Sequence, residues 1–122
     1  MVIYFYPKDE TPSCTKEACS FRDNIEQFED QDVILLGISP DDSKTHESFI
    51  ENHQLNFTLL ADPTLDVCRK FDVIREVDGR PRIERTTFVV DARGIITWIE
   101  RPVNVEGHVE RVLQAVHEIS GL

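Results

Sequence analysis

Cysteine is scarce in this chain, and the cysteines present do not form a paired motif. The 122 residues contain three cysteines, with no Cys-x-x-Cys pair. A small secreted protein held together by disulfides would need a denser, even-numbered set. The four histidines lie far apart along the sequence, so no zinc site is expected, and we interpret them as surface residues. These features predict thiols that are kept reduced, as in the cytosol.

Positive charge and long apolar runs are also lacking. Lys and Arg number 13 against 23 Asp and Glu, which gives a net charge of −10. Without a local Lys/Arg cluster, that balance disfavours binding to nucleic-acid phosphates and to anionic membrane surfaces. No stretch approaches the roughly 20 apolar residues of a membrane span, and no basic-then-apolar leader is visible. The composition predicts one globular cytoplasmic domain over 1–122.

The most informative segment is 7–19, which follows a predicted strand and carries two of the three cysteines. Residues 2–6 are β-branched or aromatic and stop at Pro7, which predicts a buried strand ending in a loop. Thr11 suits a helix N-cap, and Pro12 suits the first helical position. Cys14 then lies near the third helical residue, where free amides and the helix dipole favour a thiolate. The segment therefore predicts redox chemistry.

Helical spacing decides where the two sulfurs of this segment point. Cys14 starts an apolar stripe along a helix predicted to run to about Asp30. The stripe continues through Ala18, Phe21, Ile25 and Phe28. Cys19 lies five residues after Cys14, roughly 140° around the helix, so a disulfide between them requires the first turns to unwind. The spacing predicts a segment that is wound when Cys14 is reduced and locally melted when the two are bridged.

The rest of the sequence alternates between strand and helix signals. Strands are predicted at 2–6, 33–38, 57–60, 86–90 and 95–99. Ser43 and Thr64 are candidate caps of two helices, and a last helix begins at about Val105. Residues 77–81 have the composition of a turn or flap, and 91–94 form a hairpin signal. The order βαβαβαββα predicts an α/β fold with a parallel portion and one antiparallel hairpin.

The pattern Pro7-x3-Thr11-x2-Cys14, followed by Cys19, resembles the active-site segment of peroxiredoxins, specifically the bacterioferritin-comigratory or Q-type group. Segments within 33–39, 56–62 and 85–91 resemble further parts of that family, in the expected order. The resemblance implies a thioredoxin-like fold with a central mixed sheet flanked by helices. Relatives carry an initial hairpin and another strand before this point, so the expected sheet lacks them, and its free edge could pair two chains.

The resemblance also implies an activity and a set of site residues. Cys14 would attack a hydroperoxide, while Thr11 and Arg85 would hold the thiolate and polarise the peroxide. Cys19 matches the resolving cysteine, which would form an intramolecular disulfide that thioredoxin reduces. No metal or organic cofactor is implied, and the expected state is a monomer or a weak dimer.

Alternatives remain open at this point. Cys68 is spaced with Leu65 and Phe71 as inert core, but it is the substitute resolver if Cys19 is a bystander. Arg85 could be a solvated strand residue, and Thr11 a plain cap. Two other functions compete with the peroxidase: a general thiol-disulfide oxidoreductase, disfavoured by the Cys-x4-Cys spacing, and a non-catalytic peroxide sensor.

Overall fold

Seven strands form two sheets in the computed structural model, which describes residues 1–120; the last two residues of the predicted domain lie outside that range. The strands are β1 Val2–Phe5, β2 Leu35–Ser39, β3 Thr58–Ala61, β4 Ile74–Val77, β5 Arg80–Ile83, β6 Thr86–Val90 and β7 Ile96–Glu100. The main sheet has the order β3-β2-β1-β6-β7, and β4 and β5 form a separate hairpin. β1 pairs in parallel with β2 and antiparallel with β6, so the main sheet is mixed, as predicted.

Five helices flank the main sheet in the described part of the chain. They are α1 Pro12–Asp23, α2 Ile25–Glu29, α3 Ser43–His53, α4 Asp66–Lys70 and α5 His108–Ser120. Within residues 1–120, none of the helices combines the length and the apolar character needed to cross a bilayer.

The central strand β1 divides the core into two clusters, because successive side chains of a strand point to opposite faces. Val2 and Tyr4 pack with Cys14 and with buried residues of α1, α2, α3 and α5. Ile3 and Phe5 pack on the other face with a cluster that includes Cys68. All four residues of β1 are buried, which agrees with the continuous apolar run in the sequence. The loop after Phe5 therefore begins at a strand that the core holds in place on both faces.

Several element boundaries differ from the sequence predictions for local reasons. The first helix does not run to Asp30: it breaks at Asn24, whose side-chain amide donates to the Ser20 carbonyl oxygen at 2.8 Å. The predicted turn at 77–81 is the connection of the β4–β5 hairpin, with Asp78 and Gly79 at positive φ. The two strands β4 and β5 are short and polar, so the sequence analysis predicted the turn between them but not the strands themselves.

The predicted caps are also corrected. Asp42, not Ser43, caps α3, because its carboxylate accepts the Thr45 amide at 2.8 Å. Thr64 does not cap α4, whose first amides are bound by the more distant Asp62. The last helix begins at His108 instead of about Val105, following a turn.

Candidate active site

The cysteine predicted to react lies at the start of α1, directly after the loop that leaves β1. Thr11 is the N-cap residue with an extended backbone, Pro12 is the first helical residue, and Cys14 is the third. This agrees with the positions predicted from the sequence. Cys14 is only 1% exposed and packs in the core cluster with Ala18 and Phe21. The Cys14 sulfur therefore lies in the first turn of α1, at the border of the apolar core.

Arg85 is the residue just before β6, and its side chain reaches the Cys14 sulfur. Its Nη2 donates to Cys14 Sγ at 3.2 Å, and its Nη1 donates to Glu17 Oε1 at 2.7 Å. The guanidinium thus bridges two groups that lie one helical turn apart on α1. Burial opposes the charge of Arg85, but the Glu17 carboxylate and the Cys14 sulfur together raise the pKa of the guanidinium. A permanent positive charge is fixed against the sulfur.

An open cleft of about 640 Å³ borders Arg85 and Thr11. Its walls come from the loops around the start of α1, from the loops after β2 and β3, and from β5. The lining residues are Pro7, Lys8, Thr11, Pro12, Ser13, Pro40, Pro63, Leu65, Pro81, Arg82, Ile83 and Arg85. The lining is thus largely proline and aliphatic, and its basic side chains are Lys8, Arg82 and Arg85. Arg85 touches both the cleft and the sulfur, so it links the two.

A buried hydrogen-bond chain holds the loop before α1. Asp9 is 3% exposed and accepts a hydrogen bond from the Tyr6 hydroxyl at 2.6 Å. The other carboxylate oxygen lies 2.6 Å from Nδ1 of His46, whose Nε2 lies 3.1 Å from the Leu60 carbonyl oxygen. Burial and the neighbouring Tyr4 and Asp9 raise the pKa of Tyr6, so this phenol stays a donor. These hydrogen bonds tie the loop to Tyr6 at the end of β1, to α3 and to β3.

Two of these side chains, Asp9 and His46, resemble a metal-ligand set together with Asp41, but only by distance. One ligand atom each from Asp9, Asp41 and His46 lies within 4.8 Å of the others. However, Asp9 binds His46, and Asp41 accepts the Asp9 amide at 2.8 Å and the Ser39 hydroxyl at 2.7 Å. These donors and acceptors satisfy one another, so we interpret the cluster as support for the loop.

The other two cysteines occupy different environments. Cys19 lies on α1 at intermediate exposure and is a free thiol. Cys68 is fully buried on the opposite side of the main sheet, within the cluster that contains Phe5. Burial, with a hydrogen bond to Asp62, raises the pKa of the Cys68 thiol to about 12. Cys68 therefore has the features of inert core, and it lies away from Cys14.

The expectation that all four histidines lie on the surface is wrong for two of them. His46 is 3% exposed and His108 is 1% exposed, and each faces a buried carboxylate on another element. Their partners, Asp9 and Glu17, are far away in sequence, so the pairing has no local signal. The burial of Glu17 did have a local signal, because Glu17 lies three residues after Cys14 and therefore on the inward face of α1.

The thioredoxin-like arrangement of the sheet and the cysteine at a helix start define an enzyme that acts through a thiol. The AhpC/TSA family model matches residues 1–99, and the chain belongs to this family. Peroxiredoxin Bcp of Bacillus subtilis is 42% identical, covering 98% of this chain and 79% of that protein. Chloroplastic peroxiredoxin Q of Triticum aestivum is 36% identical, covering 98% of this chain and 55% of the plant protein.

A solved structure agrees with these relatives. The bacterioferritin comigratory protein of Xanthomonas campestris superposes with a TM-score of 0.93 at 37% identity, covering 98% of this chain and 78% of that chain. The family and the fold predicted from the sequence are therefore confirmed. The chain is a peroxiredoxin of the bacterioferritin-comigratory and Q type, an oxidoreductase class that uses a peroxide substrate and a thiol reductant.

Proposed function

We propose that the chain reduces hydrogen peroxide and small organic hydroperoxides with Cys14 as the attacking thiolate, Cys19 as the resolving thiol and thioredoxin as the reductant. The observation that carries this proposal is the 3.2 Å contact between Arg85 Nη2 and Cys14 Sγ at the first turn of α1, beside an open cleft. A sulfur held against a fixed cation at a helix start has the electrostatic setting of a reactive cysteine.

The first step is a displacement at oxygen. The Cys14 thiolate forms an S–O bond with one peroxide oxygen while the O–O bond breaks. The electron pair leaves with the other oxygen, which takes a proton and departs as water or an alcohol. Cys14 becomes a sulfenic acid, so sulfur is oxidised by two electrons and the peroxide is reduced by two.

Ionisation of the thiol alone cannot make this step fast. A thiol of ordinary pKa is about 3% ionised at neutral pH, so full ionisation gains at most about thirtyfold. The larger part of the acceleration must come from fixed groups that align the peroxide and stabilise the leaving oxygen. Arg85 supplies fixed N–H donors and charge. Thr11, which lines the cleft, supplies a hydroxyl oxygen that can accept a hydrogen bond from the peroxide O–H group.

The second step closes a disulfide within α1. The Cys19 thiolate attacks the Cys14 sulfur, an S–S bond forms, and the S–O bond breaks with loss of water after one proton is taken up. The two residues lie five positions apart on one intact helix, so the sulfurs cannot meet until the turns between them unwind. An external dithiol then reduces the disulfide, and the helix re-forms.

The remaining features of the proposal concern substrate, setting and assembly. The apolar proline-rich walls of the cleft suit uncharged hydroperoxides with short alkyl groups, and the Xanthomonas campestris relative is described as having alkyl peroxide reduction activity. We place the protein in the cytoplasm, where its free thiols would stay reduced between turnovers. The proposed site draws on a single chain, so we propose that 1–122 acts as one domain, as a monomer or a weak dimer.

The test is peroxide consumption by the purified chain with thioredoxin, thioredoxin reductase and NADPH. Sustained turnover that disappears in Cys14→Ser is the expected result, and the oxidised wild type should weigh two hydrogens less than the reduced protein. Light scattering at several protein concentrations checks the oligomeric state.

Other outcomes would replace the proposal by a specific alternative. Consumption of a single equivalent of peroxide, with reductant present, would favour a sensor in which Cys14 oxidises once. Insulin-disulfide reduction without peroxide turnover would favour a general thiol-disulfide oxidoreductase. An oxidised mass higher by one oxygen, with no disulfide, would remove Cys19 from the resolving step.

A further inference from the structure

Glu17 is a buried carboxylate enclosed between two basic side chains. Its side chain is fully buried, and Oε1 accepts the 2.7 Å hydrogen bond from Arg85. Oε2 lies 3.3 Å from Nδ1 of His108, the first residue of α5, an ion-pair distance without hydrogen-bond geometry. His108 is 1% exposed and packs edge-to-face on Phe21, with ring centroids 5.5 Å apart. One carboxylate and one guanidinium thus connect α5 to the sulfur of Cys14.

A count of charges shows what His108 can contribute. When Cys14 is a thiolate and Glu17 is ionised, two negative charges share the single positive charge of Arg85. An excess charge in a buried site is costly, because water does not solvate it. An imidazolium at His108 supplies the second positive charge and makes the four-group site neutral. The Glu17 charge is then compensated by His108 as well as by Arg85, so the Arg85 charge can stabilise the Cys14 thiolate.

We propose that His108 is a positioning residue which, as an imidazolium paired with Glu17, leaves the charge of Arg85 to the Cys14 thiolate. The proposal rests on the proposed role of Cys14 as the attacking thiolate. His108 is not among the residues that line the cleft, so it is not placed to contact a peroxide bound there. It acts only through Glu17 and Arg85.

Other titratable groups also lie around His108 and Glu17. Glu100 of β7 lies close enough to be influenced by the His108 charge, and it is held by two hydrogen bonds of 2.7 Å from Arg111. Burial opposes its ionisation, but Arg111 and then His108 keep the pKa of Glu100 below its usual range. On the side of β1, burial raises the pKa of Tyr4 well above its ordinary value, so this phenol adds no charge. The two carboxylates near His108 are thus Glu17 on α1, which Arg85 contacts, and Glu100 on β7, which Arg111 contacts.

The test measures the thiolate directly, without peroxide. In a Cys19→Ser background, the rate of Cys14 alkylation by iodoacetamide is followed between about pH 4 and about pH 9, with the modified peptide quantified by mass spectrometry. His108→Gln should move the midpoint of this profile upward by about one pH unit, which slows alkylation about tenfold on its acidic side. His117→Gln, an exposed histidine on the same helix, is the matched control and should leave the profile unchanged.

A double substitution separates a charge role from a packing role. In Glu17→Gln/His108→Gln the carboxylate that required neutralisation is gone, so the alkylation profile should return toward that of the wild type. An unchanged midpoint in His108→Gln would overturn the proposal. So would a double variant that folds and is slowed as much as the single one, because His108 would then matter only for packing.

A measurement on unsubstituted His108 covers the case in which His108→Gln does not fold. The ring nitrogens of His108 are followed by ¹⁵N NMR during a pH titration of the wild type and of Cys14→Ser. Loss of the thiolate charge should make His108 release its proton at a lower pH in Cys14→Ser, and equal titrations would refute the coupling. Alkylation and NMR need no peroxide, so a failure of peroxide turnover would count against the proposed function and leave this result standing.

Discussion

The Thr11 hydroxyl donates a 2.9 Å hydrogen bond to the Lys8 carbonyl oxygen, although Thr11 occupies the N-cap position of α1. It makes no side-chain bond to the amides of the helix. The proton of the hydroxyl is therefore committed to the loop, while the oxygen lone pairs remain available beside the cleft. A threonine that only capped the helix would orient its oxygen toward the amides instead.

Replacement of Thr11 should therefore affect rate far more than stability. We expect Thr11→Val to slow oxidation of Cys14 by hydrogen peroxide about a hundredfold, because an aligning acceptor is lost. The free energy of unfolding should fall by less than about 1 kcal/mol, since no capping bond is broken. Stopped-flow oxidation and urea unfolding measure the two effects. Thr11→Ser keeps the hydroxyl and should remain close to the wild type; an equally slow Thr11→Ser would contradict the assignment.

Arg85→Lys tests whether the geometry of the guanidinium matters beyond its charge. Lysine keeps one positive charge but cannot hold Glu17 and Cys14 at the same time with a fixed fork. We expect peroxide oxidation of Cys14 to slow by about 10² to 10³, comparable with the loss of one fixed donor in other enzymes. Arg82→Lys is the matched control, because Arg82 borders the same cleft but is exposed. Equal effects of the two substitutions would reduce Arg85 to a source of general positive charge.

Oxidation of the wild type should reduce its helix content. The Cys14–Cys19 disulfide requires α1 to unwind, so far-UV circular dichroism should lose signal when one equivalent of peroxide is added and regain it with dithiothreitol. Cys19→Ser should consume one equivalent of peroxide and then stall, with its helix signal retained. Cys68→Ala should behave as the wild type, because Cys68 is buried on the other side of the sheet. A stalled Cys68→Ala would make Cys68 the resolving residue.

His46 should give the protein a stability that depends on pH. Burial alone would lower the pKa of His46, but the hydrogen bond and charge of Asp9 outweigh it and raise the pKa above the ordinary 6.5. Both ring nitrogens face acceptors, so the imidazolium is the form that the site satisfies. Because the folded-state value is the higher one, the stabilisation is complete below pH 6.5 and is lost as pH rises through the folded-state pKa.

The measurement is the difference in unfolding free energy between the wild type and His46→Gln. We expect a difference of about 1 to 3 kcal/mol at about pH 6 that shrinks toward about pH 9, from urea titrations at each pH. His117→Gln provides the control for an exposed histidine and should show no such trend. A difference that grows with pH would mean that His46 is neutral in the folded protein.

The main sheet and the position of Cys14 could be predicted because their signals are local. The buried run before Pro7 defines β1, and Pro12 after Thr11 defines the start of α1. The break at Asn24 was missed, because the apolar stripe continues in register through Phe28 while the side chain of Asn24 competes for a backbone carbonyl. Periodicity measures burial, and it does not detect a local interruption of this kind.

The polar part of the site could be predicted only in fragments. The family resemblance named Arg85, but its distance to the sulfur depends on the antiparallel pairing of β6 with β1. The partners of the buried histidines come from other elements, 37 residues away for the pair Asp9–His46. A histidine on an amphipathic helix has no sequence mark that separates a solvated side chain from one paired with a distant carboxylate.

The interruption at Asn24 limits which part of the chain has to rearrange during the proposed catalytic cycle. α1 is 12 residues long, a length at which an isolated helix is marginal in water, so it depends on the packing of residues such as Ala18 and Phe21. α2 begins anew at Ile25 and is anchored separately by the fully buried Phe28. In the proposed cycle, unwinding can therefore stop at Asn24, so that α2 and the rest of the core keep their packing while the turns between the two sulfurs open and close.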